Sequence, residues 1–289
     1  MQENKEIQAL MKLIDDPDEM VYETVSNKII SFGKDIIPNL ENYSETIANT
    51  ALQQRIDSLI KRLHFEDIKE DFSKWSTGSP DLLAGCLLLS KYIHPSMDAT
   101  IIFKEIEKLR RNIWLEMNSY LTPMEQINVI GSIVYNYYKQ KGVEITYDST
   151  DGFLLNKTLE LRKGNAYGNG TLLLILCGLL DVPVYAINIP KQFILGYFDQ
   201  HYDFLNPSGH ASEKIKFYVD PVNGQMYSHK DVENYFKKMS LPPTSSFFRP
   251  LNNKSIMVVL LSELKKCFED EAEFSRVEEI NSLIEMMDV

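Results

Sequence analysis

The central part of the chain contains an apolar segment, residues 171–180, with a hydrophobic side chain at nearly every position. A helix that faces solvent keeps its hydrophobic residues on one side, so this segment predicts a helix that is buried on all sides. Gly168 to Gly170 precede the segment and are predicted to form the start of that helix.

Three short runs after the predicted helix have the composition of β-strands. Residues 182–189, 193–198 and 216–219 are rich in β-branched and aromatic side chains and are bounded by Pro, Asp, Asn or Gly. Such runs are typical of successive strands in one sheet. The sequence therefore predicts an α+β core in which the buried helix packs on the sheet.

Helical patterns flank this core on both sides. Residues 81–92, 99–121 and 122–141 predict three helices, and Thr122 with Glu125 forms a capping pattern at the start of the last one. Hydrophobic positions also recur at helical spacing in the first 75 residues and after residue 250. The small, polar run 76–80 is the best linker candidate. These boundaries predict a helical module at 1–75, a central domain at 76–240 and a C-terminal helix pair at 241–289.

The two helical extensions resemble known repeat types. The first contains two helices joined by an Asp-Pro turn at 15–18, which resembles a HEAT-type repeat. The C-terminal pair resembles a tetratricopeptide-like tail. A single copy is too short for a free-standing solenoid, so we expect both extensions to pack on the rest of the chain, with partner binding as the alternative.

Charge and hydropathy narrow the classes of partner. The 289 residues carry a formal net charge of −11, and the isoelectric point is about 5.0. A phosphate backbone needs a basic surface, so no nucleic-acid partner is predicted, whereas cationic or peptide partners remain open. We expect no membrane span and no secretory signal, and hence a soluble cytoplasmic protein. The oligomeric state is not predicted.

The cysteines and histidines predict no disulfide framework, metal or cofactor. Three cysteines are an odd number, and Cys86 and Cys177 lie in apolar segments typical of core thiols. His201, Asp203 and His210 share one polar stretch, residues 199–214, but their spacing fits no familiar zinc site. That stretch is interpreted either as a lid over a pocket or as a solvated hairpin tip.

Around the predicted core, the chain follows the active-site arrangement of a cysteine enzyme without its reactive groups. Such an enzyme places a cysteine at a helix N-terminus, a histidine on one strand and an orienting aspartate on the next. Here these positions are occupied by Ala166, Gln192 and Asp220.

Residues 81–235 resemble the transglutaminase-like superfamily, and within it the SirB-type bacterial branch. The resemblance rests on these motifs in this order: Leu155-Asn156, Leu161-Arg162-Lys163-Gly164, Val182-Pro183-Val184-Tyr185, Asn188-Ile189-Pro190-Lys191-Gln192-Phe193-Ile194-Leu195 and Asp220-Pro221-Val222-Asn223-Gly224. It implies a papain/transglutaminase-like core, with a buried helix packed on an antiparallel sheet. The branch often lacks the cysteine already, and here the family histidine is replaced as well.

These replacements favour a non-catalytic function. A methyl group cannot attack a carbonyl, and a neutral amide does not accept a proton near pH 7. We therefore expect a pseudoenzyme that binds a peptide, a protein or a small polar ligand through Asn165, Tyr167, Gln192 and Asp220. One alternative is an enzyme of altered chemistry, a hydrolase or transferase that uses Asp220 or Tyr167 without a cysteine. Another is a structural module in which Asp220 only forms a turn.

The glycines near the predicted helix start allow a further interpretation. Gly164, Gly168 and Gly170 match neither the Walker phosphate-binding motif nor the dinucleotide-binding motif. They are therefore interpreted as residues that the backbone conformation at the helix start requires. The alternative is an anion or a substrate carboxylate held by free N–H groups beside Arg162 and Lys163.

Overall fold

The computed structural model describes residues 2–199, 202, 211–270 and 274–287. The chain divides into two compact units, Met1–Lys74 and Trp75–Val289. The polar stretch that contains His201, Asp203 and His210 lies largely outside the described residues.

The first unit is built from helices around one apolar cluster. Arg55 fastens the Asp-Pro turn, because its guanidinium donates hydrogen bonds to the carbonyls of Ile14 at 3.0 Å and Asp16 at 2.9 Å. The Asp18 side chain caps the next helix by accepting a hydrogen bond from the Met20 N–H. The helices are α1 (Gln2–Leu13), α2 (Glu19–Ile30), α3 (Ile37–Thr46) and α4 (Thr50–Thr77), with a 3-10 turn at Gly33–Ile36. The last three residues of α4 belong to the second unit. The HEAT-like assignment stays a prediction.

The second unit alternates helices with short strands. Its helices are α5 (Leu82–Ile93), α6 (Ala99–Glu116), α7 (Pro123–Gly131), α8 (Leu155–Leu161), α9 (Ala166–Leu179), α10 (Ala211–Lys214), α11 (His229–Lys238), α12 (Asn253–Asp270) and α13 (Phe274–Glu285). Its strands are β1 (Lys141–Gly142), β2 (Lys163–Gly164), β3 (Val184–Ile189), β4 (Gln192–Phe198), β5 (Ile215–Val219) and β6 (Met226–Tyr227).

Helix α9 and a four-stranded sheet form the centre of the second unit. The strand order is β3-β4-β5-β6, and all neighbours are antiparallel. Every residue of α9 from 167 to 177 is buried, and the helix packs on β3 and β4. The predicted α+β core, with a buried helix on an antiparallel sheet and helical segments on both sides, is confirmed.

Several element boundaries differ from the sequence prediction. Helix α9 begins at Ala166, before the predicted start at Gly168, because the Asn165 side chain caps its first turn. Helix α7 shows the predicted capping box but continues as a π-helical turn at Ser132–Tyr137. The predicted linker begins inside α4, and the side chains of Trp75 and Ser76 are buried.

The C-terminal helices are part of the second unit. Helices α12 and α13 pack on each other, and α12 packs on α5. The Tyr92 hydroxyl on α5 donates a 2.7 Å hydrogen bond to Glu279 on α13, and the Asn253 amide donates one of 2.8 Å to the Pro80 carbonyl. The pair thus packs on its own domain, while its likeness to tetratricopeptide repeats stays a prediction. Within the described ranges, no helix combines the length and the hydropathy needed to cross a bilayer.

Candidate functional site

The N-terminus of α9 is capped by a buried side chain of the protein itself. Asn165, which is 1 % exposed, accepts hydrogen bonds through Oδ1 from the N–H groups of Tyr167 at 2.9 Å and Gly168 at 3.2 Å. These amides are those that an anion at the helix terminus would need. The Arg162 guanidinium stacks on the Tyr138 ring at 4.8 Å. The Asn165 cap thus satisfies two of the N–H groups that an anion at this glycine-rich start would need, which argues against the anion interpretation.

Tyr167 lies in a row of aromatic rings rather than in an open cleft. Its ring centroid is 5.8 Å from that of Phe153 and 5.0 Å from that of Phe193. Burial, together with the charge of Glu263 on α12, raises the pKa of Tyr167 above its ordinary value. Glu263 also accepts a 2.8 Å hydrogen bond from the Tyr147 hydroxyl. A buried phenol with a raised pKa stays protonated at neutral pH and is poorly suited to act as a base.

Gln192 and Asp220 are brought together at one end of the sheet. Gln192 is the first residue of β4 and Asp220 directly follows β5, and the antiparallel pairing of Leu195 with Val219 places both at the same end of these strands. Both line a cavity of about 320 Å³. The lining residues are Ile189, Gln192, Phe193, Ile194, Asp220, Pro221, Tyr227, Asp231, Val232 and Tyr235.

Phe193 separates the predicted site into two parts. Its ring contacts Tyr167, it lines the cavity beside Gln192, and it would lie 2.6 Å from a Cβ atom built on Gly170 of α9. Asn165, Ala166 and Tyr167 do not belong to the residues that line the cavity. The expectation that all the predicted site residues share one cleft is thus met only by Gln192 and Asp220.

The turn after β5 holds Asp220 by several hydrogen bonds. Its Oδ1 accepts one of 2.8 Å from the Val222 N–H, and the Tyr227 hydroxyl lies 3.5 Å from Oδ2. Tyr135, in the π-helical turn, donates a 2.6 Å hydrogen bond to the Pro221 carbonyl. Burial and the charge of Asp220 raise the pKa of Tyr135. Asp220 therefore forms the predicted turn and also faces the cavity.

Four lining residues from β6 and α11 are not among the site residues predicted from the sequence. Tyr227 ends β6, and Asp231, Val232 and Tyr235 lie on α11. Asp231 completes a capping box with Ser228, which is a recognisable helix-start signal. That signal locates a helix but not its position beside Gln192, so the sequence alone did not assign these residues to the site.

Among the described residues, neither a cysteine nor a histidine lines this cavity. None of the three cysteines forms a disulfide, and all of them are buried. The ring nitrogens of His229 face the Tyr218 hydroxyl at 3.2 Å and the Ile215 carbonyl at 2.8 Å. His201 and His210 lie outside the described residues. The described part of the cavity thus contains neither the nucleophile nor the base of a cysteine enzyme.

Thiol accessibility provides a direct prediction. Burial raises the pKa of Cys177 from 9.0 to about 12, so at pH 8 its thiolate population is about a thousandfold smaller than in the unfolded chain. We expect a disulfide reagent to modify the native protein very slowly and all three thiols at once in denaturant.

The Cys177 thiol keeps its proton in the folded state, whereas the unfolded chain loses that proton above pH 9.0. The free energy of unfolding should therefore decrease between pH 9.0 and about 12.

One outcome of the labelling experiment would contradict this prediction. Rapid modification of one cysteine in the native protein, with the same rate in denaturant, would show that a thiol reaches solvent. Peptide mapping of the labelled cysteine identifies which position is exposed.

Comparison with known proteins supports the family that the motifs indicate. Residues 101–262 match the model of the transglutaminase-like superfamily. The chain is 24% identical over 193 residues to protein SirB1 of Salmonella typhimurium and to YchA of Escherichia coli, which covers 66% of this chain and 67% of each relative. It is 22% identical over 222 residues to the protein BU173 of Buchnera aphidicola, covering 75% of this chain and 76% of that protein. No solved structure shows a significant match to the chain. The chain belongs to the transglutaminase-like superfamily, and its relatives are of the SirB type.

Proposed function

We propose that this chain is a non-catalytic member of its superfamily that binds a peptide or a small polar ligand in the cavity at Gln192 and Asp220. The observation that carries the proposal is the lining of that cavity. It contains an amide at the position of the family histidine and no thiol among the described residues. A cavity of about 320 Å³ has the size of a small ligand site.

The missing groups argue against acyl transfer through a cysteine. In a coupled catalytic unit, loss of the nucleophile or the base alone costs about 10⁶ in rate, equivalent to about 8 kcal/mol of barrier. Here Ala166 and Gln192 replace both. The nearest thiol along α9, Cys177, is buried inside the same helix and has a raised pKa, so it does not substitute for the nucleophile.

The groups that remain are suited to binding. The Gln192 side chain is exposed and makes no hydrogen bond with another described residue, so its carbonyl and amino groups are available to a ligand. Asp220 offers a carboxylate that the surrounding turn holds in place. A preorganised polar group reduces the entropy that a ligand loses on binding.

A second candidate is an enzyme of altered chemistry, a hydrolase or transferase that uses Asp220 as an acid or base. The position of Asp220 in an open cavity beside the Tyr227 hydroxyl favours this candidate over the one based on Tyr167. The open cavity also speaks against a purely structural module, because its own side chains do not fill the space.

The test compares amide hydrolysis and transamidation in three proteins: the natural chain, the double variant Ala166→Cys with Gln192→His, and Asp220→Asn. We expect the natural chain to show no turnover above background. Unfolding curves of each variant establish that the fold is retained.

Two outcomes contradict the proposal in different ways. Turnover by the natural chain that disappears in Asp220→Asn would establish the altered enzyme. Turnover by the natural chain that disappears after thiol modification would show that a cysteine reaches the cavity after all.

A further inference from the structure

The side chains that line the cavity at Gln192 and Asp220 carry a net negative charge. Its charged lining residues, within the described part of the chain, are Asp220 and Asp231, and no lysine, arginine or histidine lines it. Neither carboxylate forms an ion pair within 4.0 Å with a described residue. Lys230 precedes Asp231 in the chain but is not a lining residue.

The local hydrogen bonds leave part of each carboxylate open. The Val222 N–H donates a hydrogen bond to Oδ1 of Asp220. Ser228 donates hydrogen bonds to Oδ2 of Asp231 through its N–H at 2.8 Å and its hydroxyl at 2.6 Å. These Ser228 hydrogen bonds hold the pKa of Asp231 below its ordinary value, so Asp231 is ionised at neutral pH. Oδ1 of Asp231 makes no hydrogen bond with a described residue, and Oδ2 of Asp220 has only the 3.5 Å contact with Tyr227.

The rest of the lining fits an aliphatic chain that ends in a cation. Ile189, Ile194 and Val232 provide apolar surface for methylene groups. Phe193 and Tyr227 add aromatic rings, whose faces attract cations. The Gln192 carbonyl supplies a neutral acceptor for a further N–H donor.

Other ligand charges fit less well. An anion would enter a cavity that is lined by two carboxylates, and like charges repel. A neutral ligand would reduce the hydration of both carboxylates without supplying a counter-charge, which costs free energy. A cation removes both penalties.

We propose that the ligand group that enters this cavity is the ammonium or guanidinium end of a basic peptide side chain, bound non-covalently between Asp220 and Asp231. This inference rests on the proposed function, because it names the chemistry of the ligand for the same cavity. The chemistry shared by lysine and arginine is a cation on an aliphatic chain, and the experiment distinguishes the two.

The test uses capped five-residue peptides with glycine at every position except the centre, which is lysine, arginine, norleucine, glutamine or glutamate. Titration calorimetry and thermal shift measure binding to the natural chain. We expect the lysine or the arginine peptide to bind at least about tenfold more tightly than the norleucine and glutamate peptides. This difference corresponds to at least about 1.4 kcal/mol, and it should shrink as salt is added.

Matched variants locate the binding. Asp220→Asn and Asp231→Asn each remove one charge but keep an oxygen that can accept the local hydrogen bonds, and each should weaken the basic peptide about tenfold. Glu233→Gln removes a charge from the same helix as Asp231 but outside the cavity lining, and should leave the affinity unchanged. Unfolding curves without peptide show whether each variant is folded.

The results separate this inference from the proposed function. If the glutamine, norleucine or glutamate peptide binds as tightly as the basic ones, the cationic assignment is overturned while ligand binding by the cavity stands. If no peptide binds, the cationic assignment fails, and so does peptide binding as the function of this cavity. Equal loss of affinity in Glu233→Gln and Asp220→Asn would show that the peptide responds to general charge and not to this cavity.

Discussion

Replacing Gly168 with alanine is expected to lower the free energy of unfolding of the second unit by about 3 kcal/mol, at the upper end of what overpacking usually costs. A Cβ atom at this position would collide with the carbonyl oxygen of Gly152 and lie 2.5 Å from Oγ1 of Thr158. The first neighbour is backbone and the second side chain is fully buried, so neither can move aside without disturbing α8 or α9.

Gly178→Ala is the matched control in the same helix. A Cβ atom at Gly178 meets no heavy atom within 4 Å. Alanine is the better helix former by about 0.5 to 1 kcal/mol, so this variant should be as stable as the natural chain or slightly more stable. Urea unfolding followed by tryptophan fluorescence reports the second unit, because Trp75 and Trp114 both belong to it. Equal midpoints for the Gly168 and Gly178 variants would show that the close approach of α9 to Gly152 does not constrain the fold.

The architecture of the core could be predicted because its signals are local. The continuous apolar run of 171–180 indicates a helix that is buried on all sides, and the β-branched runs after it indicate strands. The start of α9 could not be found in this way, since Asn165, Asn169 and Thr171 are polar and yet almost fully buried. Asn169, for example, bonds to Gln140 and Lys141, which lie far from it in the sequence. Strand β6 contains only two residues, too few to give a periodic pattern.

For the candidate site, too, some features could be predicted from the sequence and others could not. The proximity of Gln192 and Asp220 follows from the order of the family motifs on antiparallel strands, and the structure shows both residues lining one cavity. The separation of that cavity from Tyr167 depends on the ring of Phe193, whose position is set by packing against α9. The contribution of Tyr135 depends on a hydrogen bond to Pro221 across a long stretch of sequence. No local pattern carries such information.

Removing the buried amide of Asn169 should be the second most damaging change. Asn169 is 1 % exposed and Gln140 is 3 % exposed. The Gln140 Nε2 donates a 2.9 Å hydrogen bond to the Asn169 Oδ1 and one of 3.2 Å to the Thr158 carbonyl, and the Asn169 Nδ2 donates one of 3.3 Å to the Lys141 carbonyl. These bonds join α9 to α8 and β1. Asn169→Ala leaves a buried donor on Gln140 without its partner, which is expected to cost about 2 to 3 kcal/mol.

A double-mutant cycle with Gln140→Ala tests whether the pair acts as a unit. Each single variant leaves one polar group of the other amide without its partner, whereas the double variant removes both side-chain amides. The loss of stability in the double variant should therefore be smaller than the sum of the single losses by about 1 kcal/mol or more. Asn128→Ala on the exposed face of α7 is the control and should change the stability by less than about 0.5 kcal/mol. Strictly additive losses would mean that the Gln140–Asn169 hydrogen bond contributes little. The position of α9 against β1 would then depend on the apolar packing of the helix alone.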